Sequence, residues 1–162
     1  MIADGSAMVY SITTLILILT VADYFVLGRR GLSSFGRTQK VLRVVVALPL
    51  LISGVAHFVR TALLASIVPP FFPFRPQLVL LTGAMELAGA LGLQLRDFTR
   101  AAAFCLALLM IAIFPANVYA ANQYIGGLHM PSVPVRTAMQ VVYIWLLLMA
   151  GWGVRRTSRP YV

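Results

Sequence analysis

Five apolar stretches, each close to the ~20 residues that carry a helix across ~30 Å of hydrocarbon, fill most of this 162-residue chain. They run over about residues 8–28, 41–61, 76–95, 99–121 and 136–154. A soluble fold of this size could not hide so much apolar surface, since charged residues are 10% of the chain against the roughly 25% usual in soluble domains. The chain is too short for two membrane domains. The expectation is an all-α membrane protein with a single membrane domain over residues 1–162. Residues 1–5 lack the basic region of a secretory signal, and the following run is about twenty residues rather than the 7–15 of a signal core, so 8–28 reads as a retained span.

The net charge of +9 raises the question of nucleic acid, but the 13 Lys and Arg lie mostly at the ends of apolar runs, where they set topology. Ten of them, Arg29, Arg30, Arg37, Lys40, Arg43, Arg96, Arg100, Arg155, Arg156 and Arg159, fall on one side, and three, Arg60, Arg75 and Arg136, on the other. That asymmetry places the N-terminus outside and the C-terminus in the cytoplasm. The single cysteine, Cys105, cannot form an internal disulfide, which excludes paired-thiol redox chemistry within the chain.

The connections differ in character. Residues 29–40 read as a polar loop. Leu95-Arg96-Asp97-Phe98 is so short that the spans on either side must be antiparallel neighbours, with Asp97 available to cap the incoming helix. The external stretch 62–76 is apolar and aromatic but broken by Pro69, Pro70, Pro73 and Pro76, so it is neither a full span nor a regular strand. It reads as an interfacial segment with Phe71, Phe72 and Phe74 at headgroup level, either packed on the bundle or covering a ligand site. Ala84, Ala88 and Gly92, with Gly83 and Gly89 alongside, mark the third span for close packing. Pro49 and Pro115 predict kinks in the second and fourth spans, the latter freeing the carbonyl of Ile111.

Glu86 is the residue that most needs a partner. A carboxylate near the middle of a span costs roughly 2.5–3.5 kcal/mol on insertion scales. At ~1.5 Å rise per residue, Glu86 lies roughly 15 Å from the outer end of its span, while His57 and Asn117 lie roughly 6 Å inside theirs. Gln140 falls at a similar shallow depth and Tyr143 nearer the level of Glu86. His57, Glu86, Asn117, Gln140 and Tyr143 are therefore the candidate ligand-binding or proton-handling residues. Glu86 is either neutral and hydrogen-bonded or ionised and paired with His57 or a snorkelling Arg60. The set can equally be a satisfied network that fixes helix register. Asp23, near the inner end of the first span, reads as an interfacial partner of Arg29 and Arg30. His129 stands in the external loop without ligand spacing around it, and His57 has none either, so no metal site is expected.

Ser53-Gly54-Val55-Ala56-His57-Phe58, then Val68-Pro69-Pro70 and Pro73, Gly83-Ala84-Met85-Glu86, and Phe114-Pro115-Ala116-Asn117 together resemble the DoxX-like family of small bacterial membrane proteins. The resemblance covers about 41–154 and implies a four-helix transmembrane bundle in the bacterial cytoplasmic (inner) membrane, to which the 8–28 span is an addition. Family members resemble a membrane subunit of thiosulfate:quinone oxidoreductase or take part in oxidative-stress complexes. Only His57, Glu86 and Pro115-Ala116-Asn117 match recognisable family positions, and no catalytic role attaches to them.

The leading expectation is an integral membrane subunit, not an enzyme on its own, that anchors or supports a redox assembly and contacts quinone through the polar cluster. Its expected partners are the lipid bilayer and another protein or a second copy, with no nucleic acid. A small proton-coupled transporter and a purely structural assembly factor are the alternatives.

Overall fold

A computed structural model describes residues 32–152. The 8–28 stretch, Asp23 and the basic tail at Arg155, Arg156 and Arg159 lie outside the described residues. The elements in order are α1 (Leu32–Val59), α2 (Thr61–Ser66), α3 (Arg75–Gln94), α4 (Thr99–Ala112), α5 (Phe114–Ala120), β1 (Tyr124–Ile125), β2 (Leu128–His129) and α6 (Val133–Gly151). Gln39–Val59 of α1, the whole of α3 and the whole of α6 are each long and apolar enough to cross a membrane. Helices α4 and α5 meet the same test together, as a pair bent by 43°. The chain is thus a predominantly helical, membrane-type fold.

Helix α1 packs on α3, α3 on α4, α4 on α6, and α6 returns to α1, so the four long elements close a cycle. Leu42, Val46 and Leu50 of α1 meet Leu93, Leu106 and Leu147 in the shared core. The outside is as apolar as the inside: Ile52, Leu91, Phe104 and Val141 are all exposed. Without water to oppose it, such a surface suits lipid, whereas in solution contiguous apolar patches of this kind are association sites.

Proline position explains where three helices begin. Pro76, Pro115 and Pro134 each occupy the first turn of α3, α5 and α6, where the missing N–H would have had no intrahelical acceptor. Pro115 therefore does what the sequence predicts: the fourth stretch is not one rod over 99–121 but two, α4 and α5, bent at Ile113. Pro49 behaves differently, since α1 runs through it without a break.

Several expectations are corrected. The segment read as a polar loop over 29–40 is helical from Leu32 onward, because it contains no proline and only Gly36 after Gly31 to oppose continuation of α1. Asp97 does not cap α4. The N-cap is Phe98, without a side-chain hydrogen bond, and the buried Thr99 hydroxyl instead donates to the carbonyls of Leu93 and Leu95, at 3.3 and 2.9 Å. The short hairpin itself stands, with α3 packed directly on α4. Ala84 and Ala88 are exposed, and the buried face of α3 is Val79, Gly83, Glu86, Ala90 and Leu93. The α3–α4 contact uses Gly89, against Leu106, and Gly92, against Ala102.

The connections at the end of the bundle opposite the 95–98 hairpin are compact. Stretch 62–76 opens as the short helix α2 and continues in turns, with Phe71 and Phe74 exposed. The α5–α6 connection forms an antiparallel hairpin in which Tyr124 pairs with His129 and Ile125 with Leu128. Its two-residue turn places Gly126 and Gly127 at φ of 60° and 83°, a conformation that glycine adopts at no steric cost. His129 is exposed and stacks edge-on with Tyr124 at 4.9 Å between centroids.

Candidate functional site

The α1–α3 crossing brings two of the five candidates together. Gly54 and Gly83 face each other there: a Cβ built on either would lie 3.1 Å from the other's carbonyl oxygen, and one on Gly54 would also lie 2.7 Å from Leu87 Cγ. Close approach of this kind needs residues without side chains. It carries His57, three residues beyond Gly54, and Glu86, three beyond Gly83, into proximity across the interface. His57 Nδ1 is 3.8 Å from Glu86 Oε2, with the two side chains 16% and 3% exposed.

His57 is oriented by its own helix. Its Nδ1 is 2.7 Å from the Ser53 carbonyl oxygen, one turn back. A carbonyl only accepts, so Nδ1 carries the hydrogen and donates it. The same ring nitrogen stands 3.8 Å from the carboxyl, and the Ser53 side chain hydrogen-bonds Glu86. Glu86 Oε2 is buried and has no hydrogen-bond partner among the described residues. A buried acceptor left unmade costs about 1–3 kcal/mol, and more when the group is charged.

Tyr143 belongs to the same neighbourhood, within electrostatic range of Glu86. Its hydroxyl, however, donates to the Val46 carbonyl at 2.5 Å, in the turn of α1 that precedes Pro49. Proline at 49 takes away the N–H that would have bonded the Val45 carbonyl, and its ring crowds that turn. A hydroxyl from α6 thus bonds α1 in the turn before Pro49.

Asn117 and Gln140 are drawn into a second network, separate in its bonds from Glu86. Arg136 Nη2 donates to Asn117 Oδ1 at 2.6 Å, Asn117 Nδ2 donates to Gln140 Oε1 at 2.9 Å, and Gln140 Nε2 donates to the Met110 carbonyl at 2.5 Å. The acceptor at the α4–α5 bend is therefore Met110, not Ile111 as the proline alone predicts, because the break falls at Ile113 and loosens the turn before it. Gln140 and Tyr143, three residues apart on α6, project on adjacent turns, and each donates to a backbone carbonyl a few residues before a proline.

Three contributors were not singled out by residue type. Arg136 lies four residues before Gln140, and Ser53 four before His57, so helical spacing from each candidate points to them. Gln39 left no such signal: it is buried and its side-chain amide donates to the Trp152 carbonyl, tying the start of the α1 span to the end of α6.

Fold and site together define a helical membrane-type protein that carries, among the described residues, an acid–imidazole pair with the acid buried and a separate interhelical hydrogen-bond chain. Residues 46–154 match the family model described as a domain of unknown function, DUF8561, and the chain belongs to that family. Every residue of both networks falls inside the matched segment. No curated protein and no solved structure matches.

Proposed function

We propose that the chain is a small integral subunit of a bacterial inner membrane that anchors or supports a redox assembly, and that His57 and Glu86 form its contact with a small polar headgroup such as a quinone ring. In this reading α1, α3, the α4–α5 pair and α6 are four spans, residues 8–28 add a fifth, and the N-terminus faces outward, as the ten-to-three distribution of basic residues supports.

The observation that carries the site is Glu86 Oε2, a buried acceptor without a hydrogen-bond partner among the described residues, 3.8 Å from an imidazole that is itself held in place. A buried acceptor with capacity left over suits a ligand that donates a hydrogen bond, as the hydroxyl of a quinol, the reduced form of a quinone, does. The resemblance to the DoxX-like family supplies the redox context. A partner protein would bring the electron-transfer chemistry.

For Asn117, Gln140 and Arg136 the structural reading is favoured, because Asn117 and Gln140 each spend both amide atoms on one another, on Arg136 and on the backbone at the bend.

Purification from native membrane in mild detergent, followed by lipid extraction and quinone chromatography, tests the proposal. Quinone should accompany the wild-type protein, together with a redox partner, and should be depleted in Glu86→Gln. Absence of both quinone and partner from the wild type would overturn it.

A further inference from the structure

An apolar groove of about 450 Å³ opens along the seam between α3 and α4. It exists because the residues that let these helices approach are small. Gly92 packs against Ala102, and the lack of side chains there leaves a channel walled by Met85, Leu95 and Phe98. The lining reaches from Leu95 to Met85 along α3 and from Phe98 to Leu109 along α4. Helical stretches of that length rise roughly 15 Å, half of the ~30 Å hydrocarbon core and so the depth of one leaflet. A channel of one leaflet's depth, apolar throughout, suits a single fatty acyl chain.

Charge gathers at its mouth. Arg96 and Asp97 are the two residues between Leu95 and Phe98, Arg100 precedes Ala101 of the lining, and all three are exposed. Arg43 belongs to the same end of the bundle: its carbonyl accepts from the Gln94 amide at 3.2 Å, and its guanidinium stands within electrostatic range of Arg96. Three guanidinium groups against one carboxylate leave a positive field at the level where an acyl chain in the groove would meet its headgroup. Like charges brought together are relieved by an anion among them, and the anion that arrives attached to an acyl chain is a lipid phosphate.

We infer that the α3–α4 groove binds one acidic phospholipid from the leaflet at the 95–98 hairpin, with its acyl chain along the two helices and its phosphate held by Arg96 and Arg100. A phosphatidylglycerol headgroup also answers Asp97, since its hydroxyls donate and a carboxylate accepts. A zwitterionic lipid brings its own cation to an end that already carries three. A second copy seated here about a two-fold axis along the membrane normal would set Arg96 and Arg100 against their own duplicates, which opposes that contact. The lipid site involves neither His57 nor Glu86, so it stands apart from the quinone reading.

The test uses the full chain in vesicles of phosphatidylglycerol and phosphatidylethanolamine, doped with a sub-saturating phosphatidylglycerol that carries a photoactivatable diazirine in its acyl chain. Adducts formed on irradiation are mapped by peptide mass spectrometry. They are expected to concentrate on the groove residues of α3 and α4, and to be displaced by added phosphatidylglycerol but not by the same amount of phosphatidylethanolamine. Arg96→Gln and Arg100→Gln, both at exposed positions, should each lower the adduct yield roughly fivefold, the effect of one basic side chain at an anionic headgroup. Ala88→Phe, at an exposed position of the lining, should fill the groove and abolish the adducts. Monodisperse elution reports folding of each variant, and the two arginine variants decide the matter if Ala88→Phe does not fold. Equal displacement by the two lipids, unchanged yield in both arginine variants, or adducts spread evenly over the exposed faces of α1 and α6 would reduce the groove to ordinary lipid contact and overturn the site. Absence of adducts from the groove, as when residues 8–28 or a second copy fills it, would overturn it as well.

Discussion

Gly83 on α3 lies directly against Cβ of His57 on α1, so that no side chain could occupy the glycine position without pushing the two helices apart. The atom in the way is next to the backbone, not the far end of a flexible chain, and on the other side the Gly54 carbonyl would be 3.1 Å from the new Cβ. The site therefore depends on the absence of a methyl group.

Gly83→Ala should cost about 1–3 kcal/mol, the usual range for overpacking, and should widen the His57–Glu86 separation. Thermal unfolding in detergent measures the first effect. Loss of quinone with Glu86 still present would show the second. A variant as stable as wild type that retains the proposed quinone binding would mean that the crossing is looser than described.

The Asn117–Gln140 bond should appear as a coupling energy. In a double-mutant cycle with Asn117→Ala and Gln140→Ala, the coupling expected for an interhelical bond in a membrane protein is about 0.6 kcal/mol, with an upper end of ~1.7. Unfolding equilibria of the four proteins supply it. Perfect additivity would mean that the two amides do not meet.

Tyr143→Phe removes one hydrogen bond and leaves the ring in place. The expected loss is about 0.5–1.5 kcal/mol of stability, with the ligand retained, since the hydroxyl is spent on Val46 and not on Glu86. Lost binding at unchanged stability would instead assign Tyr143 to the ligand.

Hydropathy and proline position made the long apolar helices within 39–151 and the Pro115 bend legible, because an apolar helix of spanning length and a proline each leave a local, one-dimensional mark. Depth along the spans put His57 and Glu86 on the list. It could not say which candidates meet, since that depends on helix rotation, and rotation here is set by Gly54 facing Gly83 on separate helices. The same ignorance of rotation made Ala84 and Ala88 look like the packing face, when the buried line runs through Gly83, Glu86 and Ala90. Nor could residue type reveal that the bend would offer Met110 rather than Ile111, because the break spreads over a turn. The helical state of residues 32–40 was hidden by composition: charge suggested a loop, while nothing in the segment ends a helix.

Glu86 is proposed to hold an exchangeable interaction inside the bundle, beside His57. Infrared difference spectroscopy of the protein in lipid, across a pH titration and on addition of a quinone, tests it most directly through the carboxyl stretching band. The expected carboxyl band changes with pH and with quinone, disappears in Glu86→Gln, and shifts in His57→Phe. A band unaffected by quinone, or one that persists unchanged in Glu86→Gln, would contradict it.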